Sequence, residues 1–294
     1  MLGLAALTLW AWQQRPAALP GGWHEQLVAG VLLSLCSLFA YSARFRRVMR
    51  VLDLDVNRLE SVRIVSFAVF CQFFVPLGAG AEIAKFLKLR GLTPQRRGLV
   101  SAAGIVVEHL LGLLALVATA SVLFAILRPF AMGVNVLVLA IGALAIVALA
   151  ATVVLRRQVG TGLDAGRLFA RLRAHKCDAA LALVWSLLMH VLLAAAVYVG
   201  SQGWAMTLGY WQILFVLSAA GVFQAVPANL VGVGVADVAG TGLYVALGLP
   251  LSSALVLVSL LYSYRLLLAL LGGLWELDKA RRARVAVQAR ENPA

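Results

Sequence analysis

Long apolar stretches alternate with short polar ones along the whole chain. Five of them, at about 26–43, 98–127, 134–155, 178–200 and 251–275, are near the ~20 residues that cross ~30 Å of hydrocarbon as a helix. Their apolar positions are continuous rather than alternating, which favours helices over a β-barrel. Two further regions, 62–90 and 210–250, are apolar but interrupted. The first carries "VPLGAGAEIAKFLK" at 75–88 and the second "VPANLVGVGVADVAG" at 226–240. Proline removes an amide donor and glycine permits a sharp turn, so neither stretch suits the interior of a straight span. The opening "MLGLAALTLWAW" is apolar and short, with no Lys or Arg before it. It lacks the basic start of a signal peptide and is read as a membrane helix of undetermined length.

Composition agrees with this pattern. Of 294 residues 63% are hydrophobic and only 13% charged, with mean hydropathy +0.95, against roughly half and a quarter in a soluble domain. The expected fold class is therefore an all-α polytopic membrane protein with about six to eight membrane segments. It forms a single integral membrane domain over 1–278, followed by a basic cytoplasmic tail at 279–294.

The net charge of +13 resembles a nucleic-acid footprint until its distribution is read. All but three of the 25 basic residues (Arg15, Arg128 and Arg265) fall in four clusters, at 44–63, 85–97, 156–176 and 279–290. The intervening linkers are nearly free of Lys and Arg. This is the positive-inside pattern, which puts the clusters and the C-terminus in the cytoplasm of a multi-pass inner (plasma) membrane protein and leaves no need for nucleic acid. Trp23, Trp204, Tyr210 and Trp211 suit anchors at the outer interface. Cys36, Cys71 and Cys177 form no metal-type pair and read as packing residues. No HExxH spacing or nucleophile elbow occurs, so no metal, cofactor or catalytic residue is expected.

Parity constrains the interrupted regions. The chain is cytoplasmic at "ARFRR" and again at "KLRGLTPQRRG", so 62–90 must enter the membrane and return. By the same count 210–250 enters and returns from outside. A pair of short full spans fits the count too. Re-entrant hairpins suit the short arms better, with Pro76, Gly78 and Gly80 at one tip and Pro227, Gly232 and Gly234 at the other. Two units then emerge, 26–127 and 178–275, of opposite orientation. Secondary transporters use such inverted repeats and bind substrate near the midplane where broken helices meet. Irregular backbone at that depth is tolerated only inside protein or beside a wet cavity.

The charges inside apolar segments point to the same place. Glu82 and Lys85 follow the first tip, Asp237 follows the second, and Glu108 and Arg265 each lie about ten residues, or ~15 Å, inside a span. A charge at the bilayer centre costs at least ~2.5–3.5 kcal/mol, so these five must pair or face water. Glu108 or Asp237 is expected to pair with Arg265, and Glu82 to find a basic or backbone partner. An ion pair that only holds helices together is the plainer alternative. His109 and His190 read as polar packing groups rather than a proton relay.

Four motifs in order resemble one family. "PLGAGAEIAK", "VVEHLLGLLAL", "PANLVGVGVAD" and "YSYRLL" are similar to the signatures of the lysylphosphatidylglycerol synthase transmembrane (flippase-like) family, over about 26–275. Ala81, Lys85, His109, Gly112 and Asp237 depart from its pattern; charge sign survives at Lys85 and Asp237, and an acid is lost at Gly112. In the best-studied members this domain is joined to a soluble aminoacyl-transferase and flips the lipid that enzyme makes. Here the chain after 275 is a short basic tail. The resemblance therefore implies translocation of a charged lipid or lipid-linked glycan, not aminoacylation. Its site would be Glu82, Lys85, Glu108, Asp237 and Arg265, and its partners membrane lipids, anionic or lipid-linked. A non-catalytic partner of a lipid synthase or glycosyltransferase, an integral-membrane lipid enzyme and a small-solute transporter stay open as alternatives, as do ion coupling and oligomeric state.

Overall fold

The computed structural model describes residues 22–74, 80–92, 98–127, 165–204, 208–225, 229–230 and 233–291. They form nine α-helices: α1 (Trp23–Val51), α2 (Arg58–Phe74), α3 (Gly80–Leu92), α4 (Gly98–Leu127), α5 (Ala165–Ala174), α6 (Lys176–Ser201), α7 (Tyr210–Val222), α8 (Val235–Ala246) and α9 (Leu251–Glu291). Besides the connecting turns, the described residues hold two short 3₁₀ turns and a minimal antiparallel pairing of Asn229–Leu230 with Val233–Gly234 just before α8. The expected span at 134–155, the segment at 1–12 and the tip residues Pro76, Gly78, Pro227 and Gly232 lie outside the described residues.

Among the described residues four helices are long and apolar enough to cross a membrane: α1, α4, α6 and α9. The protein is thus a helical membrane protein. The remaining apolar helices are short. With 17, 13, 13 and 12 residues, α2, α3, α7 and α8 reach only about 25, 20, 20 and 18 Å at ~1.5 Å per residue.

Three boundaries differ from the sequence reading. The first span does not stop at 43 but runs to Val51, because Phe45, Val48, Met49 and Leu52 recur at helical spacing and are all sealed in the core. The middle basic loop contains α5, whose Arg171 donates to the Leu52 carbonyl at 3.0 Å and pairs with Asp53 at 3.2 Å, tying the loop to the end of α1. α9 continues unbroken from the last span through the basic tail to Glu291.

The packing partners follow one rule. α1 packs on α2 as α6 packs on α7, α2 on α3 as α7 on α8, and α3 on α4 as α8 on α9. Across the halves α2 meets α9 as α7 meets α4, and α4 meets α6 as α9 meets α1. The most extensive contact joins α1 to α6, and those two helices run antiparallel. Gly30, near the start of α1, lies against the Ala196 carbonyl late in α6, while Arg47 near the end of α1 reaches Asp178 at the start of α6 at 2.6 Å. The α2–α9 pair is antiparallel too, with Arg63 over the Trp275 ring at one end and Phe73 against Tyr262 at the other. So is α4–α7, with Phe124 against Phe215 and Leu116 against Gly221.

Two apolar cores fill these halves. One gathers Phe45, Met49, Ile64, Leu89 and Ile105 from the first four helices, joined by Leu268 of α9. The other gathers Val197, Ile213, Phe215, Tyr244 and Leu257 from the last four, joined by Leu123 of α4. The aromatic residues Trp23 and Trp204 share one end of the antiparallel α1–α6 pair. Arg46, Arg47, Arg50, Arg171 and Lys176 share the other.

Candidate functional site: a charged cavity between the two halves

The first half builds its site on three helices. Glu108 sits in α4 with 1% of its side chain exposed, and its two oxygens serve two cations. Arg44 of α1 donates to Oε1, and Lys85 of α3 donates to Oε2 at 2.6 Å. Both cations also face the ring of Tyr41, Arg44 at 4.5 Å and Lys85 at 5.3 Å from its centroid. Stacking on the ring adds attraction that water would weaken in the open. Gly112, one turn beyond Glu108, leaves the space the guanidinium fills: a Cβ there would stand 2.7 Å from Arg44 Nη1. Any side chain at Gly112 would take the room the arginine occupies. Taking three charges out of water is costly, and it is tolerated only because each is paired and hydrogen-bonded.

The second half builds its site on α8 and α9. Asp237 is the third residue of α8, as Glu82 is the third residue of α3. Its Oδ2 accepts the Gly234 N–H at 2.8 Å, which closes the start of the helix. Its Oδ1 lies 3.9 Å from Arg265 of α9. Glu82 stands in the same relation to the helix after it, 3.9 Å from Nδ1 of His109 in α4. Each short helix thus carries an acid in its first turn, where the helix dipole favours negative charge, opposite a nitrogen of the following long helix.

These groups converge on a cavity of about 210 Å³ between the halves. Arg44, Glu82 and His109 line it from the first half; His190, Asp237 and Arg265 line it from the second. Four of its lining residues hold a buried polar atom without a hydrogen-bond partner among the described residues: Arg44 Nε, Glu82 Oε2, His190 Nε2 and the Tyr244 hydroxyl. Buried polar groups are normally satisfied, so four unpartnered ones around one cavity make it the candidate place for a polar ligand or water.

Of the five residues expected at the site, Glu82, Asp237 and Arg265 line the cavity. Glu108 and Lys85 do not; they stand behind its wall and hold Arg44 in place. Arg265 faces Asp237 and not Glu108, because Glu108 is already saturated by the other two cations. Gly80 starts α3 and Gly234 caps α8, each beside the acid it precedes.

Arg44 and Tyr41 were missed from sequence. By sequence Arg44 groups with the cytoplasmic cluster at 44–63, yet it is buried and lines the cavity. The signal that could have found it is the run of core residues on either side, which carries α1 past the first arginine. No family model, no curated protein and no solved structure matches the chain.

Proposed function

We propose that this protein moves the charged headgroup of a lipid, or of a lipid-linked glycan, across the inner (plasma) membrane. The observation that carries the reading is the cavity itself: cations and acids, with unpartnered polar atoms, enclosed between apolar helices. Intramembrane charges that face a cavity mark pathways for polar cargo. Arg44 and Arg265 supply guanidinium groups for a phosphate, which they bind with charge-assisted, directional hydrogen bonds. The acyl chains stay in the bilayer while the headgroup crosses.

The route is alternating access. α2 with α3, and α7 with α8, act as re-entrant hairpins, since no arm is long enough to span ~30 Å of hydrocarbon by itself. The two halves act as inverted repeats about the antiparallel α1–α6 pair. What supports this is the matched set of helix contacts and the matched acids, Glu82 and Asp237, at the start of the returning arms. Rocking one half against the other about α1–α6 exposes the cavity to each side in turn. The basic ends face the cytoplasm, as the positive-inside rule directs. The resemblance to the lysylphosphatidylglycerol synthase transmembrane family belongs to the same proposal.

The test is transbilayer movement in proteoliposomes with tail-labelled phospholipids and an impermeant quencher. Wild type should raise the quenchable fraction above one leaflet's share, and Arg265→Ala and Glu82→Ala should lose this. Behaviour equal to empty liposomes with zwitterionic, anionic and cationic lipids would remove phospholipid movement. Undiminished movement by Arg265→Ala would remove the cavity from the mechanism.

A further inference from the structure

The charges at the cavity divide into those already satisfied and those held open. Three cations (Arg44, Lys85 and Arg265) stand against three carboxylates (Glu82, Glu108 and Asp237) at or just behind its wall. Glu108 has given both oxygens to Arg44 and Lys85. Asp237 has given one oxygen to the Gly234 amide and turns the other to Arg265. Glu82 alone of the three keeps a buried oxygen, Oε2, without a partner among the described residues, and His109 Nδ1 stands 3.9 Å from its other oxygen, beyond hydrogen-bond reach. Among the described residues the Arg44 Nε donor and the His190 ring nitrogen Nε2 are also unpartnered, and Arg265 meets Asp237 only at 3.9 Å.

The cavity therefore holds an open acceptor and open donors together, around charges that sum to zero. A purely anionic headgroup would satisfy the guanidinium groups and set a second negative charge against Glu82. A purely cationic one would satisfy Glu82 and leave the donors of Arg44 and Arg265 unfilled. A headgroup with both an anionic phosphate and an N–H donor answers both the guanidinium groups and Glu82 Oε2. A quaternary ammonium carries the charge but no proton for Glu82 Oε2.

We propose that the cavity selects a zwitterionic headgroup, a phosphodiester bearing a primary amine, with Arg44 and Arg265 on the phosphate and Glu82 on the ammonium. This rests on the lipid-moving reading above and names its cargo by chemistry. Glu82 is the specificity residue. Asp237, its counterpart in the other half, already accepts the Gly234 N–H and stands 3.9 Å from Arg265, a long-range attraction rather than a hydrogen bond.

The experiment compares initial rates of transbilayer movement for tail-labelled phosphatidylethanolamine, phosphatidylcholine and phosphatidylglycerol. It uses wild type, Glu82→Gln and Asp237→Asn in matched vesicles, with external labelled glycerophosphoethanolamine as a water-soluble arm. Wild type should move the ethanolamine lipid at least about tenfold faster than the glycerol lipid, the scale of one charge-assisted hydrogen bond, with the choline lipid between. Glu82→Gln should bring the ethanolamine rate down to the glycerol rate. Asp237→Asn should slow both and keep their ratio. Equal wild-type rates for the three lipids, or an unchanged ratio in Glu82→Gln, overturn the assignment while lipid movement stands. Uptake of glycerophosphoethanolamine without movement of any lipid overturns the lipid reading and keeps the headgroup chemistry. Absence of both overturns the two together. The wild-type comparison decides the selectivity even if the Glu82 variant does not fold.

Discussion

Lys85 Nζ lies 2.6 Å from Glu108 Oε2, with 2% and 1% of the two side chains exposed, and Arg44 holds the other oxygen of the same carboxylate. One acid thus fastens α1, α3 and α4 together at the depth where a lone charge is least tolerated. Removing it strands two cations, whereas removing Lys85 strands none. Glu108→Gln should therefore lower stability by about 3–5 kcal/mol, and Lys85→Met by distinctly less. Thermal unfolding in detergent, followed by retention of the monodisperse fraction, checks the order; a Lys85→Met protein less stable than Glu108→Gln would contradict it.

The ring between the two cations offers a second test. Tyr41→Phe keeps the face that Arg44 and Lys85 share, while Tyr41→Leu removes it. The leucine variant should lose about 0.5–2 kcal/mol relative to phenylalanine, the range for a desolvated cation–ring contact. The measurement is the difference in their unfolding midpoints.

α9 lies very close to α2 at Gly272. A Cβ there would stand 2.2 Å from the Ser66 carbonyl oxygen, a backbone atom that cannot swing aside. Gly272→Ala should cost about 1–3 kcal/mol by forcing the helices apart. It should also slow lipid movement, since α9 carries Arg265. Gly242→Ala in α8, where nothing stands within 4 Å, should be neutral or stabilising by up to ~1 kcal/mol. Equal unfolding temperatures for the two variants would refute the close approach.

Orientation can be read from two native thiols. Cys177 is exposed at the basic start of α6, and Cys36 is exposed midway along α1, inside a helix long and apolar enough to cross a membrane. A membrane-impermeant maleimide should modify Cys177 in inside-out vesicles and not in intact cells. Cys36 should react in neither until the membrane is dissolved. Modification of Cys177 from outside intact cells would reverse the topology.

A fourth contact, Arg47 with Asp178, is only partly buried, so it contributes little by itself. Arg47→Glu should cost no more than about 1 kcal/mol, and Arg47→Glu with Asp178→Arg should recover most of it. Recovery in the double variant, measured by unfolding midpoint, checks that α1 and α6 run antiparallel with this register.

The class of the protein was legible in the chain alone, because apolar length is a one-dimensional property: a helix either has ~20 apolar residues or does not. The four long helices follow from it, as do the short, interrupted elements at 62–90 and 210–250. So does the presence of costly charges at Glu82, Lys85, Glu108, Asp237 and Arg265, since each stands out against its own neighbours. Which charges meet was decided only by the tertiary structure. Arg44 sits among other arginines and looks cytoplasmic until α1 is packed on α4 and α6. Only then does Glu108 prove to be occupied from two sides, leaving Arg265 to Asp237. The division of the acids into satisfied and open is of the same kind. It depends on which donor each oxygen reaches across helices 23 or 64 residues apart in the chain, and burial and pairing at that separation leave no local trace.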